Sequence, residues 1–295
     1  MNSKKISLVL GSGGARGYAH IGVIEELEKS DYEIASISGS SMGALIGALY
    51  ACGKLQEYKD WVLSLDFIDV AKLLDLSLSK TGFIQGEKVF KVIEEMIGDV
   101  MIEDLPITYT AVATDLIRQK EVWIQEGKLL DAIRASIAIP TVFTPKKLGK
   151  RFLVDGGVLN PLPIAPTISD NTDMTIAVSL NVITPKKYNI DTKKKSKKKK
   201  KGFEKIFFDI EKRVQKLFPD DSENKFDEMG MFEIMGQTID IMQNAIIECK
   251  MAGYTPDMII GIPNDVCGFY EFDRASEIIE IGKIIARDNL KSLDV

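Results

Sequence analysis

The sequence predicts an α/β protein whose central sheet is parallel and carries helices on its faces. Over the first fifty residues, short apolar runs of strand length alternate with segments whose apolar residues recur at helical spacing. This alternation favours a parallel sheet, because the connections between parallel strands are usually helical crossovers. Further apolar runs of strand length occur near both ends of the chain, so we expect its first and last thirds to contact each other.

The individual elements follow from hydrophobic spacing and turn signals. Strands are predicted at residues 6–10, 34–37, 107–114, 152–155, 174–180 and 258–262. Helices are predicted at residues 17–29, 42–51, 54–76, 87–97, 129–137, 232–251 and 274–290. The helix at 42–51 is apolar on all sides, which predicts that it is buried.

These elements predict a single domain over residues 1–295. Its core would comprise about residues 5–182 together with the C-terminal part 232–295. Residues 185–230 would form an insertion, because this segment contains a lysine-rich stretch and interrupts the alternation of strands and helices. No internal repeat is evident in the sequence.

Composition and length exclude several classes of protein. A hydrophobic content of 45% with 27% charged residues is typical of a globular protein. No apolar run approaches the 18 or so residues of a spanning helix, and the apolar stretch after Lys4 and Lys5 is too short for a signal peptide. We therefore expect a cytoplasmic protein, with membrane association left open.

Cysteine and histidine are too few and too scattered for a metal site or a disulfide framework. The three cysteines, Cys52, Cys249 and Cys267, form no closely spaced pair, and the chain has one histidine. Zinc sites need about four clustered Cys or His ligands. The sequence therefore predicts no metal.

A pentapeptide after the second predicted strand fits the pattern Gly-x-Ser-x-Gly. It is Gly39-Ser40-Ser41-Met42-Gly43, and an apolar helical segment follows it. A nucleophile at a tight strand-to-helix turn needs strained backbone angles, and small residues two positions away on either side avoid clashes. Ser41 is therefore the candidate nucleophile. The alternative is a glycine-rich packing turn without chemistry.

Residues 11–17, here called the glycine loop, join the first predicted strand to the first helix. The loop does not fit a dinucleotide-binding motif, because Arg16 stands where a glycine is needed and no acidic residue closes the second strand. It also lacks the Gly-Lys-Ser/Thr of a phosphate-binding loop. Its exposed amides can bind an anion, so it is a candidate oxyanion hole if the first two strands are neighbours. The alternative is a tight connection without a catalytic part.

The general base is the next requirement. His20 is the one histidine, and it precedes Ser41, whereas in the α/β-hydrolase order histidine follows the serine. It is expected to be a packing or hydrogen-bonding residue. Asp155 ends an apolar strand and precedes Gly156 and Gly157, so its carboxylate can reach a site at the strand end. An aspartate can accept the serine proton if it lies within hydrogen-bond reach.

Three motifs in this order resemble the patatin-like phospholipase family. They are the glycine loop, the turn around Ser41 and the sequence Asp155-Gly156-Gly157. Shorter matches occur at residues 18–23, 134–140 and 160–161. The resemblance covers roughly residues 5–182, and the segment from about 235 is similar to the small bacterial members. One departure is Ser12, at a position where the family motif usually begins with glycine.

This resemblance implies a three-layer α/β/α sandwich with a mostly parallel central sheet. It also implies an enzyme that hydrolyses carboxylic esters of phospholipids or other lipids, through Ser41 as nucleophile and Asp155 as general base. The implied oxyanion hole consists of Gly13, Gly14, Ala15 and Arg16, with Arg16 bracing the loop. The supporting glycines are Gly11, Gly17, Gly39, Gly43, Gly156 and Gly157. No metal or organic cofactor is implied.

The lysine-rich insertion suggests a second partner besides the lipid or other ester substrate. Residues 186–201 contain ten Lys and one Asp, although the net charge of the whole chain is -5. An amphipathic pattern rich in phenylalanine follows over residues 203–217. A basic run before such a helix can dock on anionic membrane, here through Lys193 to Lys201. The alternative is a solvated loop before a helix that packs on the core or covers the site. No nucleic-acid binding is expected, because the body of the chain is acidic.

Two rival functions remain open at this stage. One is a soluble carboxylesterase or thioesterase that uses the same pair of residues on short acyl groups. The other is a non-catalytic lipid-binding protein that has kept the fold.

Overall fold

The structure is a computed structural model that describes residues 3–73, 87–140, 142–184 and 231–291. Within these residues, eight strands form one mixed sheet. They are β1 (Lys4–Leu10), β2 (Tyr32–Ser40), β3 (Thr108–Asp115), β4 (Lys120–Ile124), β5 (Lys146–Leu148), β6 (Arg151–Asp155), β7 (Met174–Val182) and β8 (Met258–Pro263). The predicted insertion, including its lysine run and amphipathic segment, lies outside the described residues.

Five of the strands run parallel, in the order β3, β2, β1, β7, β8. Strands from the first and last parts of the chain thus share one sheet. The other three strands form antiparallel pairs: β4 and β6 each pair with β3, and β5 pairs with β6. Because β1 and β2 are parallel neighbours, the glycine loop and the Ser41 turn leave the sheet at the same edge.

Helices cover both faces of the sheet and make it the middle layer of a three-layer sandwich. They are α1 (Ala19–Lys29), α2 (Met42–Ala51), α3 (Leu55–Ser64), α4 (Phe67–Leu73), α5 (Glu87–Ile97), α6 (Leu129–Ser136), α7 (Met231–Met251) and α8 (Ala275–Lys291). The alternating side chains of β1 show the two faces: Leu8 belongs to the core under α1, α2 and α8, whereas Val9 packs with Leu162 and with Ile247 of α7. The predicted α/β/α architecture is confirmed. Within the described ranges, no helix combines the length and apolar character needed to cross a bilayer.

The prediction of one continuous helix over residues 54–76 is wrong, because two helices occupy this segment. The chain breaks it into α3 and α4 at Leu65, whose backbone is extended at φ -73° and ψ 135°. Asp66 then begins α4, because its carboxylate accepts hydrogen bonds from the amides of Ile68 and Asp69. Two strands, β4 and β5, were not predicted, since their short sequences mix charged and apolar residues.

The pairing of β3 places β2 and β6 end to end. Residues 111 and 112 of β3 pair with both β2 and β4, and residues 113–115 pair with both β4 and β6. A strand has two edges, so β2 and β6 must share the edge of β3 opposite β4. Ser40 lies opposite Val112 and Asp155 lies opposite Ala113, which are successive positions on that edge. The end of β2 therefore meets the end of β6.

Candidate active site

Ser41 occupies the turn between β2 and α2 in a strained backbone conformation. Its φ is 56° and its ψ is -125°. The glycines on either side have no room for a side chain. A Cβ on Gly39 would lie 2.6 Å from the Cα of Ala44, and one on Gly43 would collide with the carbonyl of Leu10. Side chains at these positions would force the turn apart, which accounts for the glycine spacing around Ser41.

Ser136, the last residue of α6, braces this turn. Its Oγ accepts a hydrogen bond of 3.0 Å from the Ser41 amide and donates one of 2.6 Å to the carbonyl of Val112 on β3. An amide at the start of a helix has no partner within the helix, so Ser136 supplies the missing acceptor for Ser41. The sequence placed Ser136 in a segment of family resemblance but assigned it no role.

Ser41 and Asp155 meet where β2 and β6 converge. The Oγ of Ser41 donates a hydrogen bond of 2.6 Å to Oδ2 of Asp155. The other carboxylate oxygen, Oδ1, accepts a 2.7 Å hydrogen bond from the amide of Gly157. The bond from Gly157 fixes the orientation of the carboxylate, and a short Ser–Asp hydrogen bond is the geometry that a nucleophile and its general base require.

Burial controls the electrostatics of this pair. Asp155 is 3% exposed, and desolvation raises the pKa of its carboxyl group to about 7, although the hydrogen bonds from Ser41 and Gly157 each lower it. Desolvation dominates because it penalises the charged form of an acid that has no cation beside it. A carboxylate with a pKa near neutrality is a far stronger base than an ordinary aspartate, whose pKa is 3.8.

His20 contacts a different part of the site. It is completely buried, and its Nε2 lies 2.9 Å from the carbonyl oxygen of Gly11, to which it donates a hydrogen bond. Desolvation lowers the pKa of His20 to about 4, so the ring is neutral at physiological pH. His20 therefore supports the start of the glycine loop, as the predicted hydrogen-bonding role implies.

The glycine loop lies between β1 and α1, but only part of it has free amides. The amide of Ala15 donates to the carbonyl of Phe269 at 2.9 Å, and the amide of Arg16 donates to that of Gly13 at 3.3 Å. The predicted oxyanion hole therefore needs correction at Ala15 and Arg16, whose amides already have acceptors. The amides of Gly13 and Gly14 find no acceptor among the residues that the structure describes.

The remaining glycines of the predicted set mark close contacts around this loop. A Cβ on Gly17 would collide with Met42, the residue after Ser41, and a Cβ on Gly11 would lie 2.9 Å from the carbonyl of Val178. A Cβ on Gly156 would collide with the carbonyl of Val112. The glycine loop and the Asp155 turn are thus packed directly against the elements that hold Ser41.

Helix α7 contributes residues that the sequence did not single out. The guanidinium of Arg16 is 1% exposed and makes two hydrogen bonds to Asp240, at 2.5 and 2.9 Å. Gln243 donates to the Oγ of Ser12 and to the carbonyl of Gly157. A sequence signal existed, because Asp240 and Gln243 are polar residues on the face of α7 that also carries buried Ile247.

The candidate site is covered in this conformation. Ser41 is 1% exposed, and a small apolar cluster contacts the neighbouring glycine loop through Phe269. The cluster consists of Ile139, Val142 and Phe269, with Phe143, Ile239 and Tyr270 packed against it. Phe269 lies on the glycine loop, since a Cβ on Gly14 would come within 2.9 Å of its ring. A substrate can reach Ser41 only after some of the residues that bury it move.

The fold and the site define a class of protein: an α/β sandwich with a serine at a strand-to-helix turn, hydrogen-bonded to an aspartate beside a glycine-rich loop. Residues 8–168 match the family described as patatin-like phospholipase. The chain belongs to the patatin-like phospholipase family, a family of lipid hydrolases.

Individual relatives agree with this assignment. The chain is 40% identical over 337 aligned positions to an uncharacterised NTE family protein of Mycobacterium tuberculosis, covering 100% of this chain and 93% of the relative. It is 32% identical over 189 positions to patatin-like phospholipase domain-containing protein 6 of Mus musculus, covering 61% of this chain and 14% of that protein. Among solved structures, VipD from Legionella pneumophila shares the fold, with a TM-score of 0.51 at 14% identity; the match covers 99% of this chain and 67% of VipD.

The raised pKa of Asp155 predicts how stability changes with pH in the variant Asp155→Asn. Between about pH 4 and 7 the folded state holds a proton that the unfolded state releases, so the stabilisation is complete at low pH and is lost as pH rises through about 7. The variant lacks this loss. We expect its free energy of unfolding, relative to wild type, to increase with pH by up to about 1.4 kcal/mol per unit across this window.

Urea denaturation at several pH values between 4.5 and 8 measures this difference. Asp104→Asn, which removes an exposed carboxylate, is the control for the loss of one negative charge. A difference between Asp155→Asn and wild type that stays constant over this range would contradict the prediction.

Proposed function

We propose that this protein is a serine lipid acyl hydrolase of the phospholipase A or lysophospholipase type. Ser41 is the nucleophile and Asp155 the general base. The observation that carries the proposal is the 2.6 Å hydrogen bond from Ser41 to a buried carboxylate whose pKa is raised to about 7. At neutral pH a substantial fraction of Asp155 is ionised and can accept the serine proton.

The reaction proceeds by acyl transfer in two steps. Asp155 accepts the proton of Ser41 while the serine oxygen attacks the ester carbonyl. The amides of Gly13 and Gly14 stabilise the negative charge that develops on the carbonyl oxygen. Asp155 returns the proton to the departing alcohol or lysolipid and leaves an acyl-serine. A water molecule then gives a proton to Asp155 and attacks the acyl group, which releases the fatty acid and restores Ser41.

The surroundings of Ser41 favour a lipid over a small soluble ester. Phe269, which contacts the glycine loop at Gly14, forms an apolar cluster with Ile139 and Val142, and Ile239 of α7 packs against this cluster. Once Ser41 becomes accessible, the apolar side chains of this cluster can contact an acyl chain, whose burial is favourable by about 0.8 kcal/mol per methylene. Short acyl groups gain little from such contacts.

Hydrolysis of lipid extracts tests the proposed pair directly. We expect Ser41→Ala and Asp155→Asn each to lower fatty-acid release by roughly 10³-fold or more, because each removes a group that acts in the transition state. Ser40→Ala is the matched control, since Ser40 is the neighbouring serine and its Oγ has no hydrogen-bond partner in the described part of the chain. Mass spectrometry of the products measures the effect.

Equal product from wild type and Ser41→Ala would exclude this mechanism. Failure of a fluorophosphonate to label Ser41 in an otherwise folded protein would favour the non-catalytic lipid-binding alternative. A series of monomeric and micellar esters separates a lipid hydrolase from a soluble esterase or thioesterase. Preference for short monomeric esters would contradict the lipid assignment.

The pKa of Asp155 also predicts the pH profile. Because Asp155 must be ionised to accept the serine proton, kcat/KM should rise with pH and level off above an apparent pKa near 7. Initial rates between pH 5 and 9 on a soluble ester, whose own charge does not change over this range, measure it. A profile already level at pH 5 would show that no group with such a pKa acts as the base.

We also propose that the chain binds anionic membrane through Lys193 to Lys201. Support comes from the lysine run itself and from exposed apolar residues on both sides of the insertion. Ile183 is 82% exposed before it, and Ile241 and Met242 of α7 are 70% and 57% exposed after it. Lysines near an anionic surface contribute about 1 kcal/mol each, and apolar side chains at the interface add to the binding.

Vesicle sedimentation tests the membrane proposal. Replacing Lys193, Lys194 and Lys195 by Gln should weaken binding to phosphatidylserine-containing vesicles by about 100-fold, given roughly 1 kcal/mol per lysine. The matched control replaces three exposed lysines elsewhere, namely Lys4, Lys5 and Lys91. Equal weakening by both triple variants, or equal binding to pure phosphatidylcholine vesicles, would contradict a specific role for the run.

A further inference from the structure

Gln243 occupies a central position among the loops of the candidate site. It lies on α7, is 5% exposed and uses both ends of its side-chain amide. Nε2 donates to the Oγ of Ser12 at 3.1 Å and to the carbonyl of Gly157 at 3.2 Å, while Oε1 accepts from Nδ2 of Asn181 at 3.0 Å. One side chain therefore joins the glycine loop, the Asp155 turn and strand β7.

The bond to Gly157 connects Gln243 to the nucleophile through a short series of hydrogen bonds. Gln243 holds the carbonyl of Gly157, the amide of Gly157 donates to Oδ1 of Asp155, and Oδ2 of Asp155 accepts from Ser41. A glycine backbone is intrinsically free to rotate. Gln243 holds the peptide group that follows Gly157, and the amides of Leu159 and Asn160 hold the preceding one through the carbonyl of Gly156, so Gln243 is one of two anchors of the Gly157 amide.

The hydrogen bond to Ser12 holds the glycine loop, which forms the other side of the site. Ser12 immediately precedes Gly13 and Gly14, whose amides are the proposed oxyanion donors. There is no spare room between the two loops, because a Cβ on Gly157 would lie 2.6 Å from the Oγ of Ser12. Gln243 thus fixes the separation between the donor amides and the turn that carries the base.

A second tether fixes the helix that carries Gln243. Asp240, one turn earlier on α7, forms the ion pair with buried Arg16 of the glycine loop, and Arg16 also donates to the carbonyl of Asn264 at 3.0 Å. Residues three positions apart lie on the same side of a helix, so Asp240 and Gln243 face the loops together. The register of α7 over the site is therefore set at two points.

We propose that Gln243 is a positioning residue for the reaction, which sets the oxyanion donors of the glycine loop at a fixed distance from the Asp155 base. This inference rests on the proposed acyl hydrolase function. Gln243 acts through Ser12 and Gly157 and does not itself touch the reacting atoms. The role is specific to a side chain that both donates and accepts, so an apolar residue of similar length cannot fill it.

Comparison of Gln243→Met with Gln237→Met tests the inference on one helix. Gln237 lies on α7 but is exposed, so it controls for the loss of a glutamine. We expect Gln243→Met to lower kcat by about 10- to 100-fold, the size of effect that small misplacements produce, with KM within about twofold of wild type. Gln237→Met should match wild type in both parameters.

The pH profile separates positioning from general support of the fold. Without Gln243 the Gly157 turn loses one of its two anchors, and the hydrogen bond from the Gly157 amide, which lowers the pKa of Asp155, should weaken. The acidic limb of kcat/KM should then move to higher pH in Gln243→Met and stay in place in Gln237→Met. A fall in kcat with an unmoved limb would assign Gln243 a merely structural role and overturn the proposal, as would identical kinetics of the two variants.

A milder variant keeps the test decisive if Gln243→Met folds poorly. Ser12→Ala removes one acceptor of Gln243 and leaves the bond to Gly157, so it should lower kcat severalfold without moving the limb. An unchanged kcat in Ser12→Ala alone would overturn the inference. If Gln243→Met folds, the losses in the double variant should combine less than additively, because both substitutions remove one shared bond. Additive losses would contradict the inference. Failure of the proposed function is distinguishable, since wild type would then equal Ser41→Ala.

Discussion

The candidate site depends on the meeting of β2 and β6 along one edge of β3. Neither strand alone brings a carboxylate to Ser41; their shared edge does, because Ser40 and Asp155 lie opposite successive residues of β3. The antiparallel direction of β6 is essential, since it brings the carboxyl end of that strand back toward the end of β2. The 2.6 Å contact between Ser41 and Asp155 follows from this register.

The same arrangement accounts for the chemistry of the pair. A carboxylate buried where two strand ends meet is poorly solvated, and desolvation is the dominant influence on its pKa. The carboxyl group of Asp155 therefore has a pKa of about 7, close to that of an ordinary histidine. Burial also leaves Ser41 almost inaccessible, with 1% of its surface exposed. The raised pKa of Asp155 and the low exposure of Ser41 both result from the burial of this pair.

Much of the fold was predictable because its signals are local. The helix at Met42–Ala51 has the predicted bounds, and the strands β3, β6, β7 and β8 lie within one or two residues of their predicted positions. The break between α3 and α4 was missed because the apolar spacing continues through it, whereas the cap by Asp66 depends on backbone geometry. Strands β4 and β5 were missed because their stability comes from pairing with β3 and β6 rather than from their own composition.

The sequence by itself determined which residue types stand at sharp turns: a serine between glycines, an aspartate before two glycines, and a glycine loop after the first strand. These are local requirements of backbone conformation and steric space, so short sequence motifs are enough to reveal them. The tertiary structure decided which amides of the glycine loop remain free, because the amide of Ala15 donates a hydrogen bond to the carbonyl of Phe269. It also brought Gln243 between the glycine loop and the Asp155 turn. Such contacts join residues between 86 and more than two hundred positions apart, and hydrogen-bond partners at that separation are set by the packing of the whole sheet and its helices.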